Sequence, residues 1–96
     1  MATDERQAAA SRISDLITLL KAQPAAGSKI VEECEALARA VSAFHMEGIR
    51  FRIFNVDRLL AKQGSSLPPE AAAILEEVRH HLEAAGFHTR SHQAPG

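Results

Sequence analysis

Apolar residues recur along this chain at helical spacing in three stretches. In the first, Ala9, Ile13, Leu16 and Leu20 step by four, three and four positions and so share one face. Thr3 or Asp4 stands where an N-cap belongs, and Gln7 follows Asp4 in capping-box spacing. Pro24 and Gly27 in QPAAGS end the pattern, which predicts a helix over about 4–23. The loop that follows is short, so the next helix should lie antiparallel to the first.

The second stretch is longer. Ser28 is a suitable N-cap, with Glu32 and Glu33 near the positive helix end. Ile30, Cys34, Leu37, Val41, Phe44, Gly48, Phe51 and Asn55 then keep an unbroken alternation of four and three. That is a heptad seam, and it predicts one helix over about 29–62, with Gly64 as the residue that ends it. At ~1.5 Å per residue such a helix is roughly 50 Å long. A competing pattern lies inside it. Ile49, Phe51 and Ile53 alternate with Arg50 and Arg52, as in a strand over 49–55, with Gly48 opening it and Asp57 capping a short helix beyond. A lone strand needs a partner, which a second copy of the chain would supply.

In the third stretch Leu67-Pro68-Pro69-Glu70 opens a helix, with proline tolerated in the first turn. Ala71, Leu75, Val78, Leu82 and Ala85 form its stripe, and Gly86-Phe87 resembles a Schellman ending, giving a helix over about 68–85. Residues 88–96, HTRSHQAPG, have no periodicity and read as a disordered tail.

The expected fold is therefore all-α: one domain over 1–87, a three-helix unit with one long central helix. The second half of that helix is too apolar for one neighbour. Ile49, Phe51, Ile53, Val56, Leu59 and Leu60 span about 200° of its circumference at 100° per residue. A homodimer buries this surplus most simply, with Phe44, Gly48, Phe51, Asn55, Ile49 and Ile53 at the interface.

Composition adds limits. The formal net charge is −1, so there is no overall basic field for nucleic acid. Cys34 is the only cysteine, which excludes an internal disulfide and fits a reducing compartment. No apolar run reaches the ~20 residues that a membrane-spanning helix needs, and the acidic, alanine-rich start is unlike a secretory signal. A bacterial-type cytoplasm is the expected location, with no membrane partner.

Chemistry-bearing residues cluster in AFHMEGIRFRIFNV, residues 43–56. Asn55 in a seam reads as a register-setting polar residue, and Arg52 as a snorkelling side chain or the partner of a carboxylate such as Glu77 or Glu83. A histidine midway along the long helix of a helical bundle, with a glycine just after it, resembles histidine phosphotransfer domains. That resemblance implies His45 as acceptor of a phosphoryl group from a receiver-domain aspartate. Gly48 would give clearance, and Arg50 or Arg52 would neutralise the phosphoryl oxygens. The family has lysine third and glycine fourth after its histidine. Here Glu47 is second and Gly48 third. The dimerisation helices of sensor kinases offer a similar partial match.

Arg50, Arg58 and Lys62 can share one side of the long helix, which in a dimer would face nucleic-acid phosphates, though four cations with Arg52 make a small footprint. His80, His88 and His92 are a weak metal set, His80 and His81 suit a helix C-terminus or pairing with Glu76 and Glu77, and no cofactor or metal is expected. No Ser-His-Asp set, phosphate loop or carboxylate pair of defined spacing is visible. The leading expectation is a small non-catalytic regulatory or adaptor protein that binds itself and a further protein partner. Histidine phosphotransfer through His45 and nucleic-acid binding follow it.

Overall fold

At Ala43-Phe44-His45 the chain turns back on itself, and the long helix becomes two. The structure, a computed structural model, describes residues 4–87. It comprises α1 (Glu5–Lys21), α2 (Gly27–Ser42), α3 (Met46–Gln63), a single 3₁₀ turn over Gly64–Ser66, and α4 (Pro69–Ala84). Among the described residues there is no strand, so the fold is all-helical with four helices where three were expected. The strand alternative over 49–55 is overturned, because those residues lie inside α3. The expectation of a disordered tail falls on residues outside those described.

The turn has a specific construction. Phe44 N–H donates to the Val41 carbonyl (3.2 Å) and His45 N–H to the Ala40 carbonyl (3.0 Å), the two bonds of a Schellman motif. Its left-handed position is normally glycine, but here Phe44 occupies it at φ +57°. His45 then becomes extended (φ −94°, ψ 93°) and caps α3, its imidazole Nδ1 accepting the Gly48 N–H at 3.1 Å. Gly48 belongs to the same device. A Cβ there would collide with the folded-back His45 ring and sit 3.4 Å from Ala40 Cβ, so only glycine lets the ring reach its amide.

This geometry sets an expected result. His45→Ala should lower stability by about 1 kcal/mol and His45→Asn should keep most of it. Gly48→Ala should stabilise the His45→Ala chain by about 1 kcal/mol through helix propensity, yet give little in the wild type, where the new methyl displaces the capping ring. Urea unfolding of the four variants measures that coupling.

The turn also resets the helical phase. In α2 the buried line is Ile30, Cys34, Leu37 and Val41, as the spacing predicts. In α3 it is Ile49, Ile53 and Val56, with Leu59 and Leu60 packed beside it. Phe44 and Phe51 are 62% and 55% exposed, so the seam expected through Phe44, Gly48, Phe51 and Asn55 is not the core. Ile49 and Ile53, expected between copies, are wholly buried within this chain. An alternation of four and three runs across a three-residue turn unchanged in the sequence, although the backbone no longer keeps its angle.

The remaining ends follow their local signals. Asp4 caps α1 by accepting the Gln7 N–H at 3.2 Å. Gly27 (φ +76°) begins α2, placing Ser28 inside the first turn rather than at the cap. Gly86 (φ +99°) and Phe87 close α4 with N–H bonds to the Glu83 and Leu82 carbonyls, and Ala85 is the exposed C-cap rather than part of the buried stripe. The α1 stripe is buried as expected, and so are Ala71, Leu75, Val78 and Leu82 of α4, joined by Ile74.

Contacts between side chains fix the packing. Arg12–Glu77 and His81–Glu5 align α1 antiparallel to α4. Glu33 with Arg52, and the Gln63 amide on the Ala26 carbonyl, align α2 antiparallel to α3. α3 touches α4 only sparingly, joined there by Arg79 and Asp57 at 3.1 Å.

Candidate interaction surface

Because Ile49, Ile53 and Val56 turn inward, the residues half a turn away must face out. At 100° per residue, Glu47, Phe51, Phe54 and Arg58 lie within about 60° of one another on that outer side. They follow the same spacing of four, three and four as a core stripe, but on solvent. Phe51 is 55% exposed and Phe54 42%, and Phe44 adds 62% at the nearby turn. Three of the four phenylalanines of a chain without Tyr or Trp are therefore at the surface.

Each of these rings carries a guanidinium. Arg6 lies 4.1 Å from the Phe44 centroid, Arg52 5.1 Å from Phe51 and Arg58 5.6 Å from Phe54. Stacked arginine keeps its edge N–H groups available for carboxylates while covering the ring face. A shallow hollow of about 210 Å³ lies among Glu47, Arg50, Phe51 and Phe54. Arg50 also sits 3.8 Å from Glu47. Aromatic and arginine side chains are the types enriched at the centres of protein interfaces. Phe44 adds a further sign, since an exposed aromatic in a position that favours glycine contributes nothing to the core.

Arg52 and Asn55 have a different role. The Arg52 guanidinium meets both Glu33 carboxylate oxygens (3.0 and 3.2 Å), and the Asn55 amide donates to one of them at 3.3 Å. The Glu33 side chain is only 12% exposed, so its charge is held by this pair. The carboxylate is on α2, not the suggested Glu77 or Glu83 of α4, and Glu77 is bonded to Arg12. Asn55, read from its seam position as a register-setting residue between helices, bonds across α2 and α3 of one chain.

Arg58 and Lys62 come together with Lys29, which sequence spacing could not associate with them. The three cations, with Glu33, Asn55 and Leu59, line a groove of about 300 Å³ between the start of α2 and the end of α3. Arg50 is not in it and lies at the hollow beside Phe51. The expected Arg50–Arg58–Lys62 side is thus divided.

His45 is exposed, and its Nδ1 lone pair is committed to the Gly48 amide. In the neutral ring Nε2 then bears the proton, which leaves no outward lone pair for phosphoryl attack while the cap holds. Arg52 is engaged with Glu33 and Arg50 lies beside Glu47. His80 lies 3.7 Å from Glu76, whereas His81 pairs with Glu5 rather than Glu77. His88 and His92 lie outside the described residues.

Cys34 is fully buried. Burial, followed by the nearby Glu33 and Glu35 charges, pushes its thiol up to about 12 from an ordinary value of 9.0. Ionisation then favours the unfolded chain. The stability contributed by the neutral thiol is complete below pH 9 and is lost as pH rises from about 9 to about 12. The slope is at most about 1.4 kcal/mol per pH unit. Cys34→Ala should flatten the alkaline limb of a stability–pH curve, although its cavity lowers stability at neutral pH.

No helix among the described residues is long and apolar enough to cross a membrane. The chain matches no family model, and the comparisons with curated proteins and with solved structures found no match.

Proposed function

We propose that this chain is a non-catalytic interaction module, of a regulatory or adaptor kind, that associates with a second copy of itself through the outer face of α3. The observation that carries this reading is the exposed Phe51–Phe54 pair, flanked by stacked arginines on a helix whose opposite face already fills the core. Two exposed phenylalanines in helical register cost solvation free energy in the isolated chain, and burying them against an equivalent surface recovers it. A patch confined to one helix face is small by the standards of stable interfaces (below ~1,200 Å²), so the association should be reversible and weak. Sedimentation equilibrium over a wide concentration range tests it: a monomer–dimer equilibrium is expected, and a monomer at every concentration contradicts it.

A second reading rests on Lys29, Arg58 and Lys62. Among the described residues none of the three has an ion pair, and they surround one groove. That supports binding of a nucleic-acid backbone, with affinity falling with salt at a log–log slope of about −3 if three phosphates are met.

A further inference from the structure

The outer face of α3 has a symmetry that decides how two copies meet. Turning a helix end over end about a point between residues 52 and 53 carries position 47 onto 58 and position 51 onto 54. The occupants of those positions are complementary. Glu47 falls on an arginine, and Phe51 falls on a phenylalanine. On the flank, Arg50 falls on the neutral Asn55, so no like charges are opposed in this arrangement.

Resting on the self-association proposed above, we infer that α3 pairs with α3 of a second copy in antiparallel register about a twofold axis between residues 52 and 53. Phe51 packs against the partner's Phe54, and Glu47 forms an ion pair with Arg58 of the partner subunit. The twofold repeats both contacts, as any isologous interface must. A parallel pairing opposes Glu47 to the partner's Glu47 and Arg58 to the partner's Arg58, and so sets like charges together at both ends of the phenylalanine pair. Electrostatics thus select the orientation, and the aromatic rings supply the buried apolar area.

The side chains are disposed for it. The Glu47 side chain is 81% exposed, and its contact with Arg50 is long at 3.8 Å. Arg58 lies over Phe54 and has no ion pair among the described residues. Its guanidinium lies 5.6 Å from the Phe54 centroid, beside the ring that this arrangement places against the partner's Phe51. The four residues span about 16 Å along the helix at ~1.5 Å per residue, close enough for all of them to engage at one crossing.

The test is a charge-exchange cycle followed by sedimentation at low salt, with circular dichroism on each variant. Glu47→Lys and Arg58→Glu each place like charges at both ends of the interface and should weaken association roughly tenfold. The double variant Glu47→Lys/Arg58→Glu restores both pairs with their signs exchanged, and should return the dissociation constant to within about threefold of wild type. The differences should shrink in 0.5 M salt (Debye length about 4 Å). If the wild type dimerises, but the single exchanges change nothing or the double variant is not restored, the register is wrong and the self-association stands. A wild type that stays monomeric overturns both.

Discussion

Ile53→Ala should lower the stability of the folded monomer by about 2–4 kcal/mol, while Phe51→Ala, two residues away, should lower it by less than about 0.5 kcal/mol. Ile53 is wholly buried among side chains of the helical core, so its loss leaves a cavity. Phe51 is 55% exposed and touches little of that core, so truncating it removes mainly solvated area and the stacking of Arg52. For a chain of this size, with total stability on the order of 5–10 kcal/mol, the first change consumes a large share. A strand over 49–55 puts Ile49, Phe51 and Ile53 on one face and makes the two substitutions comparable. Urea unfolding at a protein concentration well below the dissociation constant separates the cases, and equal losses would contradict the placement of α3.

Phe51→Asp should leave the monomer folded and weaken self-association at least a hundredfold. In the monomer the new carboxylate faces water, and the helix-propensity cost is small because phenylalanine and aspartate rank alike. In a dimer it lies against the partner's Phe54, where it must be desolvated without a cation directly opposite. The symmetry doubles the effect, and a total of about 3 kcal/mol already corresponds to more than a hundredfold. Ile53→Asp is the control with the reverse outcome, unfolding the chain. If Phe51→Asp dimerised as the wild type does, the outer face of α3 would not be the interface.

Helices α1 and α4 were legible in the sequence because their limits are written in local chemistry. Asp4 with Gln7, the prolines at 68 and 69, and Gly86-Phe87 each act through bonds between near neighbours. The break between α2 and α3 was not legible, because its two signals are carried by atypical residues. A phenylalanine holds the left-handed position that glycine usually marks, and a histidine holds the cap that Ser, Thr, Asp or Asn usually marks.

One signal was nonetheless present. The seam extended past Val41 accepted Gly48 and Asn55 as core positions, whereas Ile49, Ile53, Val56 and Leu60 keep the same spacing with aliphatic residues throughout. The apolar arc of about 200° over that segment is two faces, one filling the core and one on the surface. The partnership of Arg52 with Glu33, and of Lys29 with Arg58 and Lys62, follows only once the chain folds back, since no spacing rule links residues across that turn.

Everything proposed for the outer face of α3 depends on the turn at 43–45, and one distance tests it. Spin labels at positions 29 and 62, read by pulsed electron resonance in an excess of unlabelled protein, report whether the two ends meet. Lys29 and Lys62 line one groove, and packed helices lie 8–10 Å apart, so a separation below about 20 Å is expected. A separation near 50 Å is what thirty-three residues of unbroken helix give at ~1.5 Å each, and it would contradict the fold-back and return Phe51 to the buried seam.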